Sequence, residues 1–521
     1  MPYSSGPSTS VVLAGLSVAS ALAACTSSVS PASGEATASV AAPATQPVLL
    51  DVNDVTVLFP YDSQTQRLSP DLPLDSFVSP AEFASVVAAA RTTQIFRDNG
   101  TAPPGSQDIA AYENWRIVGF RFDPCAPSTS FVSGIPPEFA FLPGCLAAIR
   151  LVAQPVTARG FAGAPSSDSP LGVPAPQDFA MHLIYNLDVI APSADTRVLQ
   201  DQFHHSATGA APQLVAGLQR IKAAAAAAGV DTNGALLGVH PGLAAELGGD
   251  ATYVAGAVTS FLTTFLDPTK LANVAVLGIP LDSPVPWQFV VGAIPSVDGV
   301  PQPFVQGTIA GFASPTSVQS FTGTRNGLQA FPEKPDGAIN VPSLFDHLSD
   351  PDGRASAVRG AFAIEIPAAR HVLNGDCVSC HAAQLFQGPP AGSFLPFRSG
   401  GDRTLIHLTA TDLPAVRYVP LAGVTGYLAS EAFDTSGWHI HNLGYFGLHP
   451  RIAERTLNET AEVVDLVNRL LAGDERSNPG LDCGTDRGAL DALYLCQIAA
   501  PSESARQACF AGCTVRGAGA P

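Results

Sequence analysis

Residues 377–381 read Cys-Val-Ser-Cys-His, inside the stretch NGDCVSCH. Two thiols one helical turn apart, followed directly by an imidazole, allow four readings: disulfide exchange, zinc binding, covalent haem attachment or coincidence. Thiol exchange asks for a pair at a helix start, after a strand, in a βαβ setting. The upstream residues FAIEIPAARHVLNGD offer no such unit. A zinc site asks for a second ligand pair at short spacing, and none lies nearby. Haem attachment uses all five positions: Cys377 and Cys380 reach the two vinyl groups as thioethers, and His381 is aimed at the iron.

Such attachment requires export, and the N-terminus bears on that. The first 50 residues contain no Lys or Arg, and Val11 to Ala24 is an apolar run too short to span a bilayer but suited to a signal peptide. The run ends in Leu22-Ala23-Ala24-Cys25, which resembles the lipobox of bacterial lipoproteins. The uncharged MPYSSGPSTS in front departs from the usual basic start. The resemblance implies a signal peptide over 1–24, lipidation of Cys25 and a membrane-anchored protein of the periplasm or cell envelope. The Ser/Thr/Ala/Pro tract over 25–46 reads as a flexible tether.

Cysteine usage agrees with an oxidising compartment. Of nine cysteines, setting aside Cys25, Cys377 and Cys380 leaves six. Cys125 and Cys145 flank a Pro-rich loop and are expected to pair. Cys483, Cys496, Cys509 and Cys513 cluster near the end, with three possible connectivities; Cys509 and Cys513 share a helical face. A four-thiolate zinc site there lacks the usual short knuckles. The net charge of −18 with only 26 basic residues argues against nucleic-acid binding.

These residues must be positioned by the rest of the chain. Short apolar, β-branched runs bounded by Pro, Gly, Asp and Ser predict strands at DVTVLFP, WRIVGFRFDPC, CLAAIRLVAQPV, DFAMHLIYNL and PWQFVVGAI. APQLVAGLQRIKAAAAAAG predicts a helix with a stripe at Leu214, Leu218 and Ile221, and ATYVAGAVTSFLTTFL predicts another. No nucleophile elbow, zinc-protease motif, phosphate loop or dinucleotide fingerprint occurs. His204-His205 are neighbours and point apart, and Met181 beside His182 reads as core filling.

NGDCVSCH followed by a helical element resembles a bacterial cytochrome c domain. The resemblance rests on the one motif and covers about a quarter of the chain. It implies a C-terminal helix crossing the attachment helix, for which TLNETAEVVDLVNRLLAGD is the candidate, with Thr456 and Glu459 at capping-box spacing and Gly473 as its stop. Val463, Val464, Val467, Leu470 and Leu471 form its apolar face. GWHIHNLGYFGLHP would line the haem crevice. The expected fold is α+β: a β-rich domain over 47–330, a mostly α-helical cytochrome c-like domain over 355–474 and a disulfide-stapled helical tail over 475–521.

The family usually places a Met on the sixth iron position, yet the chain has only Met1 and Met181. A histidine or an open position is therefore expected, with His371, His439, His441 and His449 as candidates and His407 as a further one. The implied function is one-electron transfer by a single covalent haem c, in exchange with a redox partner protein. One alternative is a peroxidase-type enzyme with an open sixth position, weakened because di-haem peroxidases carry two motifs and this chain carries one. The other is a surface lipoprotein that binds a ligand or partner through its large N-terminal domain, with the haem as accessory.

Overall fold

The computed structural model describes residues 48–91, 110–126, 146–157, 174–177, 179–187, 211–249, 252–278, 287–297, 300–306, 318–321, 381, 393–394, 406–407, 442–471, 481–482 and 514–515. Its framework is a nine-stranded antiparallel sheet. The strands are β1 (Thr56–Leu58), β2 (Trp115–Ala126), β3 (Leu146–Thr157), β4 (Ala175–Pro176), β5 (Ala180–Asn186), β6 (Leu271–Gly278), β7 (Trp287–Ala293), β8 (Val305–Gln306) and β9 (Val318–Phe321). The spatial order is β1-β2-β3-β5-β6-β7-β8, with β4 beside the end of β3 and β9 beside β7. All five runs expected as strands are strands. β6 was not expected; it occupies the interior of the sheet between β5 and β7.

Alternation along each strand gives the sheet two different faces. One face is apolar. Trp115, Ile117 and Phe120 of β2 lie in register with Pro155, Ala153 and Leu151 of β3, and Leu151 with Leu183 of β5. Helices α2 (Pro80–Arg91), α3 (Ala211–Ala227) and, after the short α4 (Pro241–Ala245), α5 (Tyr253–Phe265) supply residues to this side. Phe83 meets Trp115 edge-on with ring centroids 5.8 Å apart, and Phe261 meets Phe120 at 5.6 Å. The expected stripe of α3, Leu214, Leu218 and Ile221, is fully buried. Gly217 lets α5 approach: a Cβ there would stand 2.5 Å from the Phe261 ring. Gly229, at φ +79°, ends α3 in the left-handed conformation, with Val230 N donating to Ala225 O at 2.9 Å.

The other face is polar in places and is covered from the C-terminal part of the chain. Hairpin β10 (Leu443–Phe446) and β11 (His449–Ile452) leads into α6 (Glu454–Leu471). Gln154 of β3 clamps the hairpin: its Oε1 accepts from Tyr445 N at 2.7 Å and its Nε2 donates to Tyr445 O at 2.9 Å. The helix expected from 456 begins at 454, so Thr456 is interior. Its hydroxyl donates to Asn442 O, and Glu459 turns to Arg121 and Arg455. The expected capping box is therefore not made, because both side chains have tertiary partners.

Residues 47–521 form one compact unit. The expected domain division near 330–355 lies outside the described residues, while elements on either side of it pack together. Asn468 of α6 both accepts from Leu50 N and donates to Leu50 O, each at 2.9 Å. Short α1 (Val52–Val55) is held by Asp54, which receives Lys222 Nζ at 2.7 Å and Thr232 Oγ1 at 2.8 Å. In the tail, expected to be helical, the described residues instead pair as an antiparallel ladder, Leu481 with Val515 and Asp482 with Thr514. The β-branched pair Thr514-Val515 favours that extended form. Within 355–474 the described residues comprise short strands and α6, and the rest of that stretch, on which the mostly α-helical expectation falls, lies outside the described residues.

Candidate functional site

His381, the last residue of the CVSCH motif, lies over the polar face of the sheet. Its ring centroid is 6.1 Å from that of His182 on β5, with the ring planes at 80°. It is 5.1 Å from the ring of Phe289 on β7, tilted by 53°. The sheet register explains the geometry. His182 pairs with Ala275 of β6, and Ala275 with Val291 of β7; one row along, Ala180, Leu277 and Phe289 align. His182 and Phe289 are therefore on one face, two strands and one row apart, about 11–12 Å. His381 reaches both rings across that gap.

His182 is 9% exposed and Phe289 3%, so this corner of the sheet is withdrawn from solvent. A third polar side chain shares the face. Asn273 pairs with Ile184, one row from His182, which places the two at the diagonal distance of about 7–8 Å. Asn273 is 2% exposed, and neither Nδ2 nor Oδ1 has a hydrogen-bond partner. A buried amide with both ends unsatisfied is costly and marks a place where an additional group is expected.

Toward β1 the same face carries charge instead. Arg121 Nη1 contacts Glu459 of α6, whose Oε1 also receives Arg455 Nε at 2.7 Å. Asp123 lies 4.0 Å from Arg121 Nη2. Burial alone would raise the Glu459 carboxyl, but Arg121, then Arg455 and Arg150, hold it well below the ordinary carboxylate range. Burial, with Arg121 alongside, lowers Arg150 to about 10, which leaves it charged at neutral pH.

Of the sequence-expected site residues, Cys377, Cys380, His371, His439, His441 and the lipidation residue Cys25 lie outside the described residues, as do the side chains of Cys125, Cys145 and the tail cysteines. His407 is described only as part of a two-residue strand paired with Ser393–Phe394. His449 opens β11 opposite Phe446 and is exposed. Met181 is fully buried in the apolar core and, by strand alternation, points away from the face that carries His182. His182 was missed as a site residue. The available signal was a lone imidazole inside the apolar run FAMHLIY.

Among the described residues no three His, Cys, Asp or Glu side chains come together to hold a metal ion, and no helix is long and apolar enough to cross a membrane. No protein-family model, curated protein or solved structure matches this chain.

Proposed function

We propose that the protein is an exported c-type cytochrome, anchored by a lipid on Cys25, that transfers single electrons between partner proteins. The observation that carries this reading is the CVSCH motif, the one local sequence that supplies two thioether positions and an axial imidazole in the required order. Cys377 and Cys380 would hold the haem, and His381 would donate to its iron. When bound, the group supplies a one-electron iron couple whose potential is set by axial ligand, burial and hydrogen bonding.

The chain's own contribution is positional. His381 rests against a rigid antiparallel sheet between His182 and Phe289, both nearly buried. A ligand held this way keeps its aim, and the apolar wall of Phe289, Leu277 and Val291 limits water at the site. One further polar group lies near by. Asn273, on the same face, offers a buried donor and acceptor with no protein partner.

The test is expression with an export route and a haem-attachment system. The wild type should retain one haem per chain through acidified-acetone extraction, and the Cys377→Ala, Cys380→Ala protein should lose it. A wild type that leaves the cell folded but colourless would falsify the proposal.

A further inference from the structure

We infer that one row of the sheet binds a small organic acid, with its carboxylate on Arg150 and Arg121 Nε, its hydrocarbon over Ile184 and a second polar group on Asn273. The inference stands apart from the haem reading, since it uses neither the CVSCH motif nor either histidine.

The register builds the row. Arg121 of β2 pairs with Arg150 of β3, Arg150 with Ile184 of β5, and Ile184 with Asn273 of β6. Residues aligned across neighbouring strands share a face, so these four stand side by side at intervals of about 5 Å. Along the row the chemistry runs guanidinium, guanidinium, hydrocarbon, amide. Two like charges directly opposite each other on neighbouring strands lower stability, and an anion set between them reverses that.

Charge is the second observation. Among the described residues, the charges that act on Arg150 are those of Arg121, Glu459, Asp123 and Arg455. Two cations and two carboxylates cancel, which leaves the charge of Arg150 itself over. Glu459 is already engaged by Arg121 and Arg455, and Asp123 lies 4.0 Å from Arg121 Nη2. Arg150 makes no hydrogen bond or ion pair with a described residue.

Unmet hydrogen bonds are the third. Arg121 is 6% exposed, and its buried Nε–H has no acceptor. Asn273, two places further along the row from Arg150, has neither a donor for Oδ1 nor an acceptor for Nδ2. Such groups are rare in folded proteins and mark a place for an additional partner. Between these two buried ends, Arg150 and Ile184 are only half-buried. The row is therefore open to solvent in its middle and lined with unused polar atoms at both ends.

The ligand class follows. A guanidinium takes a carboxylate as a planar, two-bonded pair. Ile184 then asks for hydrocarbon, and the Asn273 amide, with donor and acceptor both unused, asks for an uncharged polar group such as a carboxamide or a hydroxyl. Inorganic phosphate would satisfy the guanidiniums and leave Asn273, about 9–10 Å from Arg150 across two strands, unpaired.

The experiment titrates the full-length protein by calorimetry with glutaramate, with valerate, which has the same chain length and no second polar end, and with inorganic phosphate. Wild type should bind glutaramate about fivefold more tightly than valerate. Arg150→Met should weaken both acids by about tenfold or more. It should not lower the urea midpoint, because it removes one of two opposed guanidiniums. Asn273→Leu should erase the preference for glutaramate and leave valerate unchanged. If Arg150→Met unfolds more readily than wild type, Arg150→Lys takes its place. It keeps the charge without the fork, and weakened glutaramate binding supports the site while unchanged binding overturns it. The assignment is also overturned if neither acid binds wild type at millimolar concentration, or if Arg150→Met binds both as wild type does. Phosphate that binds as tightly as glutaramate, with no response to Asn273→Leu, would reveal a plain anion site and overturn the organic acid.

Discussion

The polar face of the sheet is divided between two kinds of polarity. Under α6, Arg121, Arg150, Arg455 and Glu459 meet with opposite charges in reach. At the other end, two imidazoles and an amide gather, and the amide has no partner. Both clusters are buried; the first is completed by protein except at Arg121 Nε, whereas the Asn273 amide has no partner at either end. A buried polar group whose partners are all in the chain contributes to specifying the fold; one left incomplete lowers stability and is retained for another purpose.

The largest test of that contrast removes a charge from the completed half. Arg121→Met keeps much of the side-chain volume but leaves Glu459 with fewer counter-charges. The expected loss is about 3 kcal/mol, at the lower end of the range for breaking a buried pair because the Glu459 side chain is 23% exposed. Urea unfolding would measure it, and a loss below 1 kcal/mol would show that α6 docks by its apolar stripe alone.

Acid should reach the same end of the sheet in two stages. The backbone N–H of His240 donates to Leu58 O of β1, its ring Nδ1 accepts from Leu243 N at 3.2 Å, and burial lowers its pKa to about 4. Between pH 4 and 6.5 the unfolded chain binds the proton that the folded chain refuses, so stability falls as pH drops through that window and levels off below it. The expected loss is about 3 kcal/mol. Glu459, whose folded pKa is depressed, keeps its contribution above the ordinary carboxylate range and loses it in stronger acid. His240→Asn retains a helix-capping acceptor and should flatten the first stage in calorimetry from pH 7 to 4.5.

The incomplete half should respond in the opposite sense. Asn273→Leu, made in the full-length Cys377→Ala, Cys380→Ala protein, replaces two unpaired buried atoms by a similar volume of hydrocarbon. Stability should rise by about 1 kcal/mol, the reverse of the Arg121 result. A fall of that size would mean that the amide is satisfied by the protein in solution. The smallest effect is expected at the α6 docking seam, where Thr56 Oγ1 and Thr460 Oγ1 lie 2.7 Å apart. Thr460 also donates to Thr456 O, so Thr56→Val should cost only about 0.5–1 kcal/mol by thermal melting.

The sequence made the sheet partly legible and the site less so. The strands with β-branched and aromatic residues between turn formers stood out, and so did α3 with its stripe and its stop at Gly229. β6 escaped because LANVAVLG has little polar alternation; a strand buried on both faces looks like any short apolar run. α2, with its Ala-rich sequence, gave no periodic signal to single it out. Thr456 and Glu459 had the spacing of a cap, and tertiary partners claimed both. For the site, local spacing was enough to nominate His381, because the motif is contiguous. His182 is 199 positions away from it, and only sheet register brings the two together.

The paired bonds between Leu50 and Asn468 span 418 positions of chain. A ribosome adding about 5–20 residues per second would need roughly 20–80 s to make the second partner after the first. Throughout that interval β1 and β2 exist without the helix that covers Thr56 and Arg121. The sheet therefore passes through a long-lived stage with one face uncovered, and whatever binds the young chain has that face to hold. Assembly ends only when α6, among the last described elements, closes over it.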